Sequence, residues 1–351
     1  MRTWKDINKV AKTTIFYLFV LTIAMTIIIP VFFVVSLSFL STREAYEYPL
    51  PLLPGVRTEF QLTYGKRGYL LSVYDRVEKA FTSVIDTDDL EKMSGYMRAR
   101  LGTPVSIEEI AEQVAKLSTQ DPVSFSKPAD LLHNYKTFFL ITRDAVPSLI
   151  RSLQIGALTI VISLSIGGTA GYAFARYAFV GRDMLKFSVL FVRMFPGVAI
   201  ALPMVVILAR MGFYDRPIGL SLVYSVGNIA LTIWITASIF MGIPEALEEA
   251  AQVFGATRLQ AFLKVTFPLA LPGLAAAAMY SFLGAWNETV SALILTQFNP
   301  TFSVVVYQSL VGATGQVNLA AAGGIAMAIP TVIFTYFIRR YIQQMWGGIT
   351  I

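Results

Sequence analysis

The chain has 351 residues, of which 55 % are hydrophobic and 14 % charged, with a formal net charge of +6. Soluble domains carry about 25 % charged residues, so the composition excludes an ordinary water-soluble enzyme, and the apolar content excludes a disordered chain. With no Cys and one His (His133), the chain cannot form disulfides, use a thiol nucleophile or build a thiolate or multi-histidine metal site.

The charges are unevenly spread. Residues 41–146 hold 13 Lys/Arg and 15 Asp/Glu, whereas the other 245 residues hold 15 Lys/Arg and only 7 Asp/Glu. The first stretch reads as a normally charged insert, the rest as a membrane body. A helix needs about 20 apolar residues to cross about 30 Å of hydrocarbon. Charge-free windows at 13–42, 152–175, 217–244, 265–287 and 289–338, and one at 187–209 broken only by Arg193, predict six spans. We place them at about 14–40, 149–174, 186–209, 218–241, 268–296 and 319–341. The expected fold class is an all-α integral membrane protein with six transmembrane helices and a small α+β extracellular insert between spans one and two.

Arg2, Lys5, Lys9 and Lys12 precede span one. The charge-free run that follows is longer than the roughly 7–15 apolar residues of a cleaved signal, so it reads as a retained span. Residues 1–40 are then the N-terminus and first span, residues 41–146 the insert, and residues 147–351 the remaining spans. Within the insert, Glu59 to Tyr69 reads as a hairpin turning at Gly65-Lys66-Arg67-Gly68. Val73, Val77, Phe81 and Val84 fall at helical spacing. Ser106 and Glu109 form a capping-box pattern, followed by an apolar stripe of Ile107, Ile110, Ala111, Val114 and Leu117.

Arg176, Arg182 and Lys186 lie between spans two and three, Arg258 and Lys264 between four and five, and Arg339 and Arg340 close span six. Cations favour the cytoplasmic side. The bias predicts a multi-pass protein of the cell membrane with both termini cytoplasmic and the insert outside. Two charges fall well inside spans, away from their ends, Arg193 and Glu288; each costs about 2.5–3.5 kcal/mol at a helix centre, so each needs a partner or water. A break is expected at Pro196-Gly197, near Arg193. Asn287 and Glu288 have the hydrogen-bonding capacity to bind hydroxyl groups of a ligand or, equally, to cap a neighbouring helix. Tyr280, Phe282 and Trp286 are expected at lipid or the interface, and Gly323 and Gly324 at a close helix contact.

The cytoplasmic segment 242–268 is the most distinctive. Pro244 suits a first helical position. Glu245, Glu248 and Glu249 follow in the first turns, where the helix dipole favours anions. Leu247, Ala251 and Phe254 share a stripe, and Gly255 is placed to end the helix in a left-handed conformation. Thr257 and Gln260 cap a second helix reciprocally, and Pro268 closes the segment.

The order Glu249-Ala250-Ala251, three residues, Gly255, nine residues, Val265-Thr266-Phe267-Pro268 resembles the EAA loop of ABC-importer permeases, with Val265 and Phe267 in place of Ile and Leu. Gly171-Tyr172-Ala173-Phe174-Ala175-Arg176, Phe179 and Gly181-Arg182 resemble the carbohydrate-type branch of these permeases, of which the maltose/maltodextrin and trehalose systems are examples. So do Asn134-Tyr135, Met194-Phe195-Pro196, Trp286-Asn287-Glu288 and Ala328-Ile329-Pro330. The resemblance covers roughly residues 130–345 and span one, and leaves out most of 41–130; Arg151 stands where Asn is common.

The resemblance implies the type I importer permease fold. It implies a coupling segment formed by Glu245, Glu248, Glu249, Ala250, Ala251, Gly255 and Pro268, with Glu249 facing an Arg of an ATPase subunit. Arg193, Asn287 and Glu288 would border the translocation path, and the outer loop from Gln297 to Asn318 would face a solute-binding protein. The implied partners are a second homologous permease, two ATP-binding subunits, an extracellular solute-binding protein, the sugar and the bilayer, with no nucleic acid. No Gly-x4-Gly-Lys-Ser/Thr loop occurs in the chain. It should bind no cofactor and have no catalytic residue; ATP and Mg would sit on the ATPase partners. Glycerol phosphate is the alternative cargo. A stand-alone secondary transporter is the alternative class, for which only Glu288 offers an intramembrane carboxylate.

Overall fold

The computed structural model describes residues 4–76, 78–117, 121–141, 144–312 and 315–346. The chain divides into two compact units, Met1–Ile141 with Ser309–Ile325, and Thr142–Gln308 with Ala326–Ile351.

The first unit begins with α1 (Trp4–Phe39). From Ile15 to Val34 its large apolar side chains are exposed, as suits a helix solvated by lipid. Next come β1 (Arg57–Tyr64), β2 (Tyr69–Asp75), β3 (Ala80–Thr87), α2 (Leu90–Leu101), α3 (Ile107–Ala115), β4 (Val123–Pro128) and α4 (His133–Ile141). The strands form one antiparallel sheet in the order β3-β2-β1-β4.

The expected hairpin is present. Gly65 N–H donates to Gly68 O at 2.9 Å, and the Asp86 carboxylate accepts the turn's Lys66 and Arg67 amides. Phe60, Leu62 and Leu71 of the sheet and Met93, Met97 and Ile110 of the helices are fully buried in one core. The Ser106–Glu109 capping box closes the start of α3.

The helix expected from Val73, Val77, Phe81 and Val84 does not form. Val73 lies on β2, and Phe81 and Val84 on β3; Val77 lies outside the described residues. Val73 pairs with Thr82 across the sheet. The β-branched residues here pack on a pleated surface, and the helical spacing arose by counting across a turn.

Near the C-terminal end of α1, Asn134 and Asn318 form a buried junction. Asn134 Nδ2 donates to Ser38 O (2.9 Å) and Leu40 O (2.7 Å), and its Oδ1 accepts from Asn318 Nδ2 (2.9 Å). The Tyr135 hydroxyl meets Ser38 Oγ at 2.8 Å. The Asn-Tyr pair singled out in the sequence therefore ties α4 to the end of α1.

The second unit is helical. It comprises α5 (Ala145–Ser163), α6 (Thr169–Arg176), α7 (Arg182–Val192), α8 (Gly197–Arg210), α9 (Pro217–Met241), α10 (Ala246–Val253), α11 (Arg258–Ala261), α12 (Phe267–Trp286), α13 (Val290–Leu295) and the first part of α14 (Phe302–Val311). The last helix is α15 (Val317–Trp346). A π-turn at Leu164–Gly168 joins α5 to α6, so Ala145–Arg176 is one apolar rod. Among the described residues five helices are long and apolar enough to cross a membrane; α7 and α8 supply a sixth span if taken as one, bent by 87°.

The break expected at Pro196-Gly197 is present, since Arg193–Pro196 interrupts span three between α7 and α8. Two expectations need correction. Span five ends at Trp286 rather than at 296; α12 stops there and α13 follows a three-residue break. Pro268 does not close the preceding segment either. The helix runs on from α11 through a π-turn at Phe262–Thr266, where Phe267 N–H reaches back five residues to Phe262 O. This shift of register accommodates the N–H that Pro268 lacks.

Phe282 and Trp286, expected at lipid or the interface, are instead buried. Their rings stack at 5.4 Å, and Trp286 Nε1 donates to Met327 O at 3.1 Å. Close helix approach occurs at Gly171, where a Cβ would fall 2.0 Å from Thr236 Oγ1, and not at Gly324, which has open space beside it.

Candidate functional site

Two places gather the residues singled out in the sequence. The first is the segment from Pro244 to Pro268. Pro244 sits two residues ahead of α10 rather than at its first position, and its carbonyl accepts Leu247 N–H at 3.2 Å. α10 ends at a Gly255 whose φ is +90°, a left-handed conformation that side chains with a Cβ rarely adopt. Ala256 N–H returns to Ala251 O at 3.0 Å. Thr257 and Gln260 then form the expected reciprocal cap of α11.

The three glutamates take different surroundings. Glu245 and Glu249 are exposed, as is Ala250, while Glu248 is buried. Glu248 Oε1 accepts from Arg176 Nε at 2.8 Å and its Oε2 from the Tyr172 hydroxyl at 2.7 Å. Arg176 also donates to Phe240 O (2.8 Å) and Ile243 O (3.0 Å), and Glu245 lies 3.9 Å from its guanidinium. Burial opposes ionisation of Glu248, but surrounding donors, Tyr172 and Arg176 among them, outweigh it and hold the carboxyl below the ordinary carboxylate range. α10 is thus fastened to the end of the α5–α6 rod.

A depression of about 260 Å³ opens beside this pair, lined by Tyr172, Arg176, Glu245, Glu248, Glu249 and Arg258. Beyond it, Val253 (84 %) and Phe254 (90 %) stand almost fully exposed at the turn, and Leu247 and Leu259 are exposed too. The stripe expected on α10 therefore faces outward at both ends.

The second place is a cavity of about 310 Å³ that brings Arg193 and Glu288 together with Tyr224, Asn228, Tyr280 and Ser291. Both charged residues sit at helix breaks, Arg193 between α7 and α8 and Glu288 between α12 and α13. Arg193 donates to the Tyr280 hydroxyl, and its guanidinium carbon lies 5.3 Å from that ring's centre. Glu288 Oε1 accepts Ser291 N–H at 2.8 Å, and its backbone carbonyl accepts from Ser303 Oγ at 3.0 Å. Asn228 Nδ2 donates to Tyr224 O at 3.0 Å, and Gly284 leaves room for its amide.

Asn287 is exposed at the end of α12 and does not line this cavity. Sequence reasoning missed Tyr224 and Asn228. The only signal was a polar residue inside an apolar span.

A third cluster fixes the chain after α13. Asp215 accepts the backbone N–H groups of Gln297, Phe298 and Asn299 at 3.1–3.2 Å. Arg151 donates to Pro300 O (2.7 Å) and Asn299 Oδ1 (3.0 Å). The arginine that departs from the common pattern thus has a definite partner.

Comparison with known proteins agrees with this architecture. Residues 140–346 match the family model described as "Binding-protein-dependent transport system inner membrane component". The trehalose transport system permease protein SugB of Mycobacterium tuberculosis is 37 % identical over 208 residues, 57 % of this chain and 75 % of that protein. The maltose/maltodextrin transport system permease protein MalG of Vibrio vulnificus is 32 % identical over 206 residues, 57 % and 69 % of the two chains. The fold is similar to a chain of a bacterial ABC transporter involved in the import of the acidic polysaccharide alginate (TM-score 0.54, 97 % and 99 % of the two chains, 19 % identity). The resemblance carried by the 249–268 pattern is thereby met, and the chain belongs to the family of inner membrane components of binding-protein-dependent transport systems.

Proposed function

We propose that this chain is a permease subunit of an ATP-driven sugar importer, with maltose, maltodextrin or trehalose as cargo. α1, the α5–α6 rod, the bent pair α7–α8, α9, α12 and α15 are its six spans. Both termini and the α10–α11 segment face the cytoplasm, and residues 41–146 form an outer insert. A second homologous permease completes the path. Two ATPase subunits carrying ATP and Mg dock below, and a solute-binding protein delivers sugar above, where the 297–318 loop meets it.

The observation that carries this reading is the build of the α10–α11 segment. Its root is held to the membrane body through Glu248 and Arg176, while Val253 and Phe254 at its tip are bare. A seated ATPase cleft would cover that tip and pair with Glu249. Closure of the ATPase dimer on ATP would then push a rigid element, and the spans would rock from inward-open to outward-open. The cavity holding Arg193, Asn228, Tyr280 and Glu288 supports a path able to bind hydroxyls, since guanidinium, amide, phenol and carboxylate groups all hydrogen-bond to them.

Reconstitution tests the reading. The purified chain alone should neither hydrolyse ATP nor pass sugar, and it should co-purify with a protein carrying the phosphate-binding loop. Ion-gradient-driven uptake by the chain alone would overturn it. Mass spectrometry of the ligand carried by the co-purified binding protein identifies the cargo; glycerol phosphate in place of a sugar would redirect the assignment.

A further inference from the structure

The segment after α1 reads Tyr48-Pro49-Leu50-Pro51-Leu52-Leu53-Pro54-Gly55-Val56, nine residues without a charge inside the otherwise charged stretch 41–146. It does not feed the core of the sheet unit. Tyr48 is 96 % exposed, and Leu52, Leu53 and Val56 are each about 60–67 % exposed. A patch of this kind on a soluble surface marks an interaction site.

The loop is held in place at three points. Glu44 Oε1 accepts Gly55 N–H at 3.1 Å while its Oε2 accepts Ser41 N–H at 2.9 Å, which pins the end of the loop beside its start. The Tyr46 hydroxyl donates to Gly315 O. Most tellingly, Ser36 Oγ donates to Leu52 O. Ser36 lies three residues inside the end of α1 at Phe39. At 1.5 Å per residue that is about 4.5 Å towards the middle of the helix. The chain leaves the helix and folds back, so that Leu52 stands level with the last turn of an apolar span.

We propose that residues 48–56 are a lipid-contacting loop seated in the outer interface of the bilayer, continuous with the lipid-facing side of α1. The proposal rests on α1 spanning the membrane with the insert outside. The occupant is a lipid surface because the exposed side chains are aliphatic with one tyrosine, the composition that partitions to the headgroup–acyl boundary. Part of the backbone is already paired or lacks a donor, and the rest can bond to interfacial water and headgroups. Pro49, Pro51 and Pro54 have no N–H to leave unpaired, the Gly55 N–H is taken by Glu44, and the Leu52 carbonyl is taken by Ser36. Of the acidic groups beside the loop, Glu44 is engaged by the Gly55 and Ser41 amides and Glu47 by Arg43 at 3.0 Å.

The chain has no Cys, so single-Cys variants report one position each. Leu52→Cys and Leu53→Cys, labelled with a nitroxide in the full chain reconstituted in liposomes, would be compared with Val34→Cys on α1 and Tyr64→Cys on the hairpin. The expected result is collision with dissolved oxygen exceeding collision with a water-soluble nickel chelate at 52, 53 and 34, and the reverse at 64. Chelate-dominated collision at 52 and 53, with 34 still reading lipid, overturns the proposal alone. Exclusion of both reagents at 52 and 53 also overturns it, because it means protein covers the loop. A chelate-dominated reading at 34 overturns the membrane topology, and this proposal with it.

Discussion

Arg176 and Glu248 meet across 72 positions of sequence at 2.8 Å, with their side chains only 7 % and 11 % exposed. The guanidinium also takes the Phe240 carbonyl in the last turn of α9 and the Ile243 carbonyl just beyond it, so one side chain gathers three elements. Breaking a buried pair by removing one partner costs about 3–5 kcal/mol. Glu248→Ala should therefore destabilise the detergent-solubilised protein by about 3 kcal/mol, read as a lowered thermal midpoint.

The same pair sets a pH dependence. Glu248 ionises below the ordinary carboxylate value of 4.5. A depressed pKa contributes stability that is complete above the unfolded value and is lost as pH falls through the folded one. The gap in thermal midpoint between wild type and Glu248→Gln should stay constant from pH 8 to about pH 5 and shrink below about pH 4.5.

Gly255 holds φ at +90° with nothing within 4 Å of where a Cβ would stand. The penalty for a side chain is therefore backbone strain, about 1–3 kcal/mol, and not a clash. Gly255→Val should leave the chain in the membrane yet abolish uptake and sugar-stimulated ATP hydrolysis in the reconstituted complex. Gly255→Asn should retain part of both, since Asn tolerates positive φ better. Normal coupling in the valine variant would remove the segment from the mechanism.

In the cavity, hydrogen bonds involving a charged group contribute about 1.5–3 kcal/mol. Arg193→Ala should raise the KM for sugar uptake by roughly tenfold or more, and Asn228→Ala should raise it by less. Basal ATP hydrolysis should be unchanged in both. Asn287→Ala, which alters a residue outside the cavity, should leave KM as it was.

Asn134 serves two carbonyls and a second amide while 3 % exposed. Asn134→Leu removes all three bonds; Asn318 Nδ2 still reaches Leu40 O (3.5 Å) and Thr42 Oγ1 (3.3 Å), so the main loss falls on Ser38 O, at about 1–3 kcal/mol. The variant should unfold at lower temperature, and protease should cut its 41–132 stretch faster than that of wild type.

Local signals were legible wherever they are written in adjacent residues. Both capping boxes, the Gly65–Gly68 turn, the left-handed Gly255 and the interruption before Gly197 follow from short-range chemistry. What could not be read depends on partners far along the chain. Glu245, Glu248 and Glu249 look alike in sequence; only the approach of Tyr172 and Arg176 sets Glu248 apart. Val73 to Val84 fits helix or strand by spacing, and it is pairing with β1 and its neighbours that decides for sheet. The end of α12 at Trp286 was hidden because only Asn287-Glu288-Thr289 separate it from the apolar α13, which reads in sequence as a continuation of the same span.

The bare turn at Val253 and Phe254 also bears on how the protein is made. A cell that synthesises this chain in excess of whatever covers that turn leaves a phenylalanine-tipped loop open to chaperones and membrane proteases. Subunit abundance would then be matched by degradation of the surplus, with no dedicated regulator, and the same loop would serve first as a mark of incomplete assembly and later as the joint of the finished machine.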